Sequence, residues 1–156
     1  MQFKEAKEID LESVAGFLTT SDELFFFHPK AIFPLTVDQL LPNFQSRKGN
    51  TVIIVDGKVA GYANFISISD GKLATIGNVV VDPKLRGTGL GKALINRMET
   101  SAKALYGAKQ IFIPCFNTNT AGLLFYHKLG YVPNSGEPRF NQNGDPVYLI
   151  YLAKSV

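Results

Sequence analysis

At 156 residues, the chain has the length of one compact domain, predicted to span residues 1–156. Hydrophobic residues make up 46% and charged residues 19%, which excludes a disordered, self-repelling chain. The net charge of +3 is too small to indicate nucleic-acid binding, and no apolar run reaches the ~20 residues of a membrane span. The single cysteine, Cys115, cannot form an internal disulfide, and no apolar stretch typical of a signal peptide follows Met1. We therefore predict a soluble, cytoplasmic protein.

The first third of the chain is predicted to hold a short strand at residues 1–4 and two helices. Apolar residues at spacings of three and four indicate the first helix, with Asp10 as its N-cap. Thr36 and Gln39 fit a capping box at the start of the second helix. Between the helices, residues 22–34 form an aromatic segment that is predicted to be a loop.

The middle of the chain carries strand signals. β-branched and aromatic residues predict strands at 51–55, 59–68 and 73–81, and Asp56-Gly57 predicts a hairpin turn between the first two. The third strand ends at Asp82-Pro83.

Helices and strands alternate in the second half. Apolar residues at helical spacing predict a helix over 90–106, which Gly107 ends. The remaining predicted elements are a strand at 110–116, a helix at 119–129 and strands at Tyr131 and 147–152, with the polar residues 133–146 as a connection. The order β-α-α-β-β-β-α-β-α-β-β predicts a mixed sheet in an α+β or α/β domain.

The most informative segment runs from the strand at Val79 through a loop with three alternating glycines to a helix start. Gly87, Gly89 and Gly91 permit unusual backbone dihedrals and close approach of a ligand. Backbone N–H groups at a helix start, together with the positive end of the helix dipole, suit a phosphate or pyrophosphate. Arg86 and Lys92 add positive charge.

Two common phosphate-binding motifs do not fit this loop. A Walker A loop needs a glycine where Arg86 stands and a serine or threonine where Ala93 stands. A dinucleotide fingerprint needs Gly-x-Gly-x-x-Gly and an acidic residue ~20 positions later. Here the spacing is Gly-x-Gly-x-Gly, and no carboxylate occurs between Glu99 and Glu137.

A third motif does fit. The segment Arg86 to Gly91 resembles the Arg/Gln-x-x-Gly-x-Gly/Ala pyrophosphate loop of the GCN5-related N-acetyltransferases, the GNAT superfamily. The segment Asn119 to Tyr131 resembles the Asn-x-x-Ala-x-x-Phe/Leu-Tyr-x-Lys-Leu-Gly-Phe signature of the same family, with Gly122 in place of the usual alanine. The likeness covers roughly residues 50–152. It implies an α+β fold with a central mixed, mostly antiparallel twisted sheet of about seven strands flanked by about four helices.

This resemblance implies acetyl transfer from acetyl-CoA to a primary amine of a small molecule or peptide, by direct attack in a ternary complex. No spacing of cysteine, histidine or carboxylate residues looks like a metal site, so no metal is expected, and a homodimer is common in such families. It assigns Tyr126 to protonation of the departing thiolate. The residues that it assigns to cofactor binding are Val79, Val80, Val81, Arg86, Gly87, Thr88, Gly89, Leu90, Gly91, Lys92, Asn119 and Tyr126.

No motif identifies the general base that would remove a proton from the attacking amine. Many family members place a glutamate on or beside the fourth strand, but residues 73–81 contain no carboxylate. Proton removal must therefore use an ordered water chain, a residue from another segment, or an acceptor of lower pKa. His28, Glu23, Glu137 and Asp145 are the candidate residues from other segments. The alternative function is therefore a non-catalytic acyl-CoA-binding or regulatory module. The phenylalanines at 25–27 and 33 either line an acceptor pocket or pack a loop. Cys115 is expected to be a small buried hydrophobic residue rather than a nucleophile.

Overall fold

The protein is organised by a seven-stranded mixed sheet with five α-helices, and the computed structural model describes all 156 residues. The strands are β1 (Gln2–Glu5), β2 (Lys48–Val55), β3 (Lys58–Ser69), β4 (Leu73–Val81), β5 (Gln110–Phe116), β6 (Val132–Phe140) and β7 (Pro146–Ser155). The helices are α1 (Leu11–Ala15), α2 (Ser21–Phe27), α3 (Val37–Ser46), α4 (Leu90–Tyr106) and α5 (Thr120–Lys128). Short 3₁₀ turns cover Glu8–Asp10 and Pro83–Leu85.

The strand order β1-β2-β3-β4-β5-β7-β6 confirms the predicted α+β architecture with a mostly antiparallel sheet. Every neighbouring pair is antiparallel except β4 and β5. These two parallel strands pair only from Leu73 opposite Gln110 to Thr75 opposite Phe112. Beyond Thr75 the strands diverge, and the sheet is open at its centre.

Helices cover the two faces of the sheet and enclose two cores. On one face, α4 and α5 pack against a core that includes Phe65, Ile76, Leu94, Met98, Ile111, Tyr126 and Tyr131. On the other face, α1, α2 and α3 pack against a core that includes Leu11, Leu24, Leu40, Val52, Tyr62 and Val80. The division of the strand residues between the two cores follows the alternation of side chains along each strand.

The predicted hairpin and helix-end signals are confirmed. Asp56 (φ 50°) and Gly57 (φ 75°) both have positive φ, as a two-residue primed turn between β2 and β3 requires. Gly107 (φ 63°) ends α4, and its N–H bonds the carbonyl oxygens of Ala102 and Lys103. β4 and β5 have the predicted bounds.

The predicted loop at 22–34 is wrong for its first part, because Ser21–Phe27 forms α2 and raises the helix count from four to five. Thr20 begins this helix, since its hydroxyl accepts a hydrogen bond from the Glu23 N–H at 3.1 Å. Consecutive phenylalanines mask the helical period in the sequence. The helix is held by burial of its apolar face, including Leu24 and Phe25, rather than by intrinsic propensity.

The two predicted caps have different outcomes. Asp10 is not a side-chain N-cap, because its backbone is already helical and its carboxylate accepts from the Lys7 N–H at 2.8 Å, one turn earlier. Thr36 does cap α3, accepting from the Gln39 N–H at 3.3 Å. Gln39 does not complete the capping box; its Oε1 instead accepts from the Ile32 N–H at 2.7 Å and fixes the preceding loop.

The predicted connection at 133–146 is also largely wrong, because β6 occupies Val132–Phe140. β6 is one of the two edge strands and pairs only with β7. An edge strand accepts prolines and polar side chains such as Pro133 and Glu137, so its sequence lacks the alternation of a buried strand. None of the helices is both long and apolar enough to span a membrane.

Candidate active site

The gap between β4 and β5 is the central feature of the candidate site. Val80 and Val81 pair with Tyr62 and Gly61 of β3, which leaves the β5-facing edge of β4 without a strand partner beyond Thr75. A register shift between the pairs Tyr62–Val80 and Asn64–Gly77 places an extra residue in β4. The predicted cofactor-binding residues Val79, Val80 and Val81 therefore lie along an open strand edge, directly after a bulge.

The glycine loop leads from β4 into α4. Gly87 (φ 79°) and Gly89 (φ 91°) adopt left-handed backbone conformations, and Gly89 is the N-cap residue of the helix that begins at Leu90. The first intrahelical bond of α4 joins the Ala93 N–H to the Gly89 oxygen at 3.1 Å. The N–H groups of Leu90, Gly91 and Lys92 precede that bond and have no intrahelical partner. An anion at this loop can therefore accept several hydrogen bonds.

The loop and α5 are in direct contact. A Cβ atom at Gly91 would lie 3.0 Å from Cζ of Phe125. The absence of a side chain at Gly91 lets α5 approach the first turn of α4. This contact brings the helix that carries Tyr126 beside the candidate anion site.

Arg86 is not a free cation. Its Nη2 donates to Oε2 of Glu23 at 2.6 Å and links the glycine loop to α2. Partial burial acts to raise the pKa of Glu23, but hydrogen bonds from Thr19 and Arg86 outweigh burial and hold the pKa below its ordinary value. Glu23 is therefore an ion-pair partner and is poorly suited to act as a general base.

Tyr126 is buried on α5, beside the rings of Phe125 (5.2 Å between centroids) and Tyr131 (6.2 Å). Burial, with a smaller contribution from Cys115, raises the pKa of Tyr126 above its ordinary value. Its hydroxyl is consequently protonated at neutral pH. Such a group can donate a hydrogen bond to a developing negative charge.

Asn119 has an internal structural role. It caps α5, with Oδ1 accepting from the Gly122 N–H at 3.0 Å. A Cβ atom at Gly122 would lie 2.5 Å from Asn119 Nδ2. Glycine at position 122, where the family usually has alanine, therefore leaves room for the Asn119 side chain in this orientation. The predicted contact of Asn119 with the cofactor stays a prediction.

Cys115 is buried, as expected for a hydrophobic residue, and burial raises the pKa of its thiol to about 12. Because the thiolate is the reactive form, we expect the native chain to react with a chromogenic disulfide at pH 8 at least about 100-fold more slowly than the denatured chain. The measurement is the rate of chromophore release with and without denaturant. Equal rates in the two conditions would place the thiol at the surface.

The other base candidates are dispersed. Glu137 lies on the edge strand β6, where Arg139 and Tyr151 donate hydrogen bonds to its Oε1 at 2.7 and 2.6 Å. These two hydrogen bonds lower the pKa of Glu137. Asp145 is exposed in the turn between β6 and β7.

His28 lies near the bulge. The carbonyl oxygen of the preceding residue, Phe27, accepts a hydrogen bond from Nδ2 of Asn78 at 2.9 Å. His28 Nε2 is 3.3 Å from the Gln39 carbonyl oxygen. A carbonyl oxygen can only accept, so this contact requires a proton on Nε2 and leaves the lone pair on Nδ1. Burial is the main cause of a lowered pKa at His28, which favours the neutral imidazole.

The aromatic segment both packs a core and lines a pocket. Phe25 is buried against Phe116, with 4.4 Å between ring centroids, whereas Phe33 is exposed. Gln142, in the turn after β6, donates to Asp22 Oδ1 at 2.7 Å and joins that turn to α2. The cavity beneath this contact has a volume of about 260 Å³ and is lined by Asp22, Phe25, Phe26, Thr118, Asn141, Gln142 and Asn143.

A polar network behind the bulge is not marked by any sequence motif. Its members, separated by up to 31 positions, are brought together by the register of β2, β3 and β4. They are Arg47, Asn50, Tyr62, Asn64 and Asn78. No group of three histidine, cysteine or acidic side chains is arranged to hold a metal ion.

Comparison with known proteins defines the family. Residues 17–131 match the Acetyltransferase (GNAT) family, and the chain belongs to this family. Among curated proteins, no significant match is found.

Solved structures share the fold across nearly the whole chain. A protein from Streptococcus mutans UA159 is 22% identical with a TM-score of 0.79, covering 99% of both chains. A ribosomal-protein-alanine N-acetyltransferase from Brucella melitensis is 17% identical with a TM-score of 0.76, covering 100% of both. The protein yncA from Salmonella typhimurium, solved with its cofactor acetyl-CoA, is 23% identical with a TM-score of 0.73, covering 99% of this chain and 93% of that one.

Proposed function

We propose that the protein is an N-acetyltransferase that transfers the acetyl group of acetyl-CoA to a primary amine of a small molecule or peptide, by direct attack in a ternary complex. One observation carries the proposal: the open edge of β4 leads to the unpaired N–H groups at the start of α4, and Gly91 in that first turn lies against Phe125, the neighbour of the buried Tyr126 on α5. Membership of the GNAT family supports the same chemistry.

The residues present fit the cosubstrate. No atom lies within 4 Å of a Cβ position at Gly87 or Gly89, so the loop is open to a pyrophosphate. The exposed Lys92, which forms no ion pair, adds a cation beside these N–H groups. The edge of β4 offers backbone groups to the pantetheine amides, and we assign to an N–H near Val79 or Val80 the polarisation of the thioester carbonyl.

The acetyl thioester supplies the electrophilic carbonyl carbon. The free amine attacks that carbon, a C–N bond forms, the C–S bond breaks, and the amine loses one proton while the thiolate gains one. A thiol has a pKa near 8.5 and an ordinary phenol one near 10. Full proton transfer from Tyr126 to the thiolate is therefore uphill, and its contribution is mainly a hydrogen bond to the developing sulfur charge.

The alternative, a non-catalytic acyl-CoA-binding module, is favoured by one feature. β4 carries no carboxylate, and both polar atoms of the Asn78 side chain are engaged within the protein. Binding and turnover must therefore be measured separately.

The test combines thermal unfolding with thiol release. At 100 times its Kd, CoA should stabilise the fold by ~2.7 kcal/mol, a shift of several degrees in Tm, whereas dephosphorylated pantetheine at the same concentration should not. Acetyl-CoA should then release free thiol in the presence of an acceptor from an amine panel. Stabilisation without turnover of any amine supports the module, and no stabilisation overturns the cofactor assignment.

A further inference from the structure

We propose that Arg47 binds an anionic group of the acceptor, so that the preferred acceptor is an amino acid or another amine with a carboxylate a few bonds from its nitrogen. This inference rests on the proposed acetyltransferase function and specifies its substrate class. It distinguishes a free amino acid from a simple amine and from a peptide N-terminus, whose nearest carbonyl is an uncharged amide.

The first observation is that Arg47 is a half-buried cation without an anionic partner. The four ion pairs of the protein involve Lys4, Arg86, Arg139 and Lys154. Arg47 Nη1 donates to Oδ1 of Asn78 at 2.6 Å and to Oδ1 of Asn64 at 3.4 Å, and Nε and Nη2 have no partner in the chain. Nε and Nη2 of this partly buried guanidinium are therefore free to donate to an external anion.

The second observation is the position of the guanidinium. A Cβ atom at Gly77 would lie 3.1 Å from Arg47 Nη1, so the guanidinium lies directly over the β4 backbone where it has no side chain. Gly77 and Asn78 immediately precede Val79 and Val80, whose backbone is proposed to hold the thioester carbonyl. At about 3.3 Å per residue, the guanidinium is within about three residues, or roughly 10 Å, of that point. An amine and a carboxylate separated by a few bonds can span this interval.

The third observation is that the protein holds Arg47 in place without neutralising it. Asn78 Oδ1 also accepts from Asn64 Nδ2 at 2.9 Å, and Asn64 Nδ2 lies 3.2 Å from both Asn50 Oδ1 and the Tyr62 hydroxyl. These partners are all uncharged. A guanidinium held by neutral groups keeps its full charge for a ligand and loses little side-chain entropy when it binds one.

The position of Arg47 relative to Tyr126 also agrees with attack of the amine on the side of the thioester opposite the leaving thiolate. Asn64 lies two residues after Tyr62 on β3 and so shares the sheet face covered by α1 to α3, whereas Tyr126 belongs to the core under α4 and α5. Arg47 and the proposed acid therefore lie on opposite faces of the gap. An acceptor bound at Arg47 approaches the thioester from the face opposite the group that stabilises the leaving thiolate.

The experiment uses matched acceptors: phenylalanine, phenylalaninamide and phenethylamine, with further amino-acid triplets of the same design. With kcat/KM expressed per concentration of free amine, we expect the wild-type protein to acetylate the carboxylate member at least about tenfold more efficiently than its amide, the size expected of a charge-assisted hydrogen bond. In Arg47→Gln, kcat/KM for the carboxylate member should fall at least about tenfold and that for the amide less than about threefold. Arg47→Lys should retain part of the preference. Arg139→Gln, which removes an exposed arginine on β6, is the matched control and should change neither value.

A measurement on the wild-type protein keeps the proposal testable if Arg47 variants unfold. With acetyl-CoA as the acetyl donor, 3-phenylpropionate should inhibit turnover of the carboxylate acceptor competitively and more strongly than 3-phenylpropanamide. Equal turnover of the triplet members by the wild-type protein, equal inhibition by the two analogues, or an equal loss for all acceptors in a folded Arg47→Gln variant overturns the inference and leaves the acetyltransferase function intact. No turnover of any triplet member, with turnover of another amine of the panel, also overturns the inference. No turnover of any amine in the panel contradicts the proposed function itself.

Discussion

A Tyr126→Phe variant is expected to lose about 100-fold in kcat while its Kd for CoA changes less than about twofold. The substitution removes the hydroxyl that stabilises the leaving thiolate and keeps the ring that packs between Phe125 and Tyr131. A factor of 100 is at the low end for general acid catalysis, because a thiolate is already a good leaving group. Since burial raises the pKa of Tyr126, kcat should not fall between pH 8 and about 10 through ionisation of this residue.

Tyr131→Phe is the matched control. The Tyr131 hydroxyl is fully buried and has no hydrogen-bond partner, so its removal costs no interaction. This variant should retain the wild-type rate and be at least as stable. Steady-state kinetics and CoA titration on both variants decide the point. An unchanged kcat in Tyr126→Phe, or an equal loss in both variants, would remove Tyr126 from the mechanism.

A Gly89→Val variant is expected to weaken CoA binding by about 100-fold or more. Gly89 has φ 91° and precedes the first turn of α4, so a β-branched residue must either strain the backbone by about 1–3 kcal/mol or turn the loop. A turned loop no longer directs the N–H groups of Leu90 and Gly91 to one point. The loss should appear in Kd measured by calorimetry.

Gly57→Val provides the control for backbone strain alone. Gly57 has φ 75°, and no atom lies within 4 Å of its Cβ position, as at Gly89, but it lies in the β2–β3 hairpin turn. Both variants should lose comparable stability, and only Gly89→Val should lose affinity for CoA. If the two variants bind CoA equally well, the glycine loop is not the pyrophosphate site.

The sequence predicts the elements that have sharp boundaries. β4 and β5 are bounded by turn residues, and α4 lies between an N-terminal glycine loop and the Gly107 stop, so local chemistry determines where each begins and ends. α2 and β6 are missed because their stability comes from tertiary contacts. Leu24 and Phe25 are buried in two different hydrophobic clusters, so the sequence of α2 shows no clear period, and β6 is an edge strand with a polar composition.

In the candidate site, too, the features set by local sequence could be predicted and those set by tertiary contacts could not. The glycine loop and Tyr126 stand in local motifs, so their positions beside the gap could be anticipated. Arg47 could not be, because its proximity to Gly77 and Asn78 depends on the register of three strands and on a bulge. The motifs that contain Arg86 and Asn119 likewise do not predict the ion pair of Arg86 with Glu23 or the hydrogen bond that Asn119 accepts from the Gly122 N–H.

Single-turnover transfer from acetyl-CoA labelled with carbon-13 at the acetyl carbonyl is the most direct measurement of acetyl transfer. The labelled amide and free CoA are quantified together with and without an amino-acid acceptor. Direct attack in a ternary complex predicts one labelled amide for each CoA released, no release without acceptor and no label on the protein. Thiol release that does not depend on the acceptor, label retained on the protein, or no labelled amide with any acceptor would contradict it.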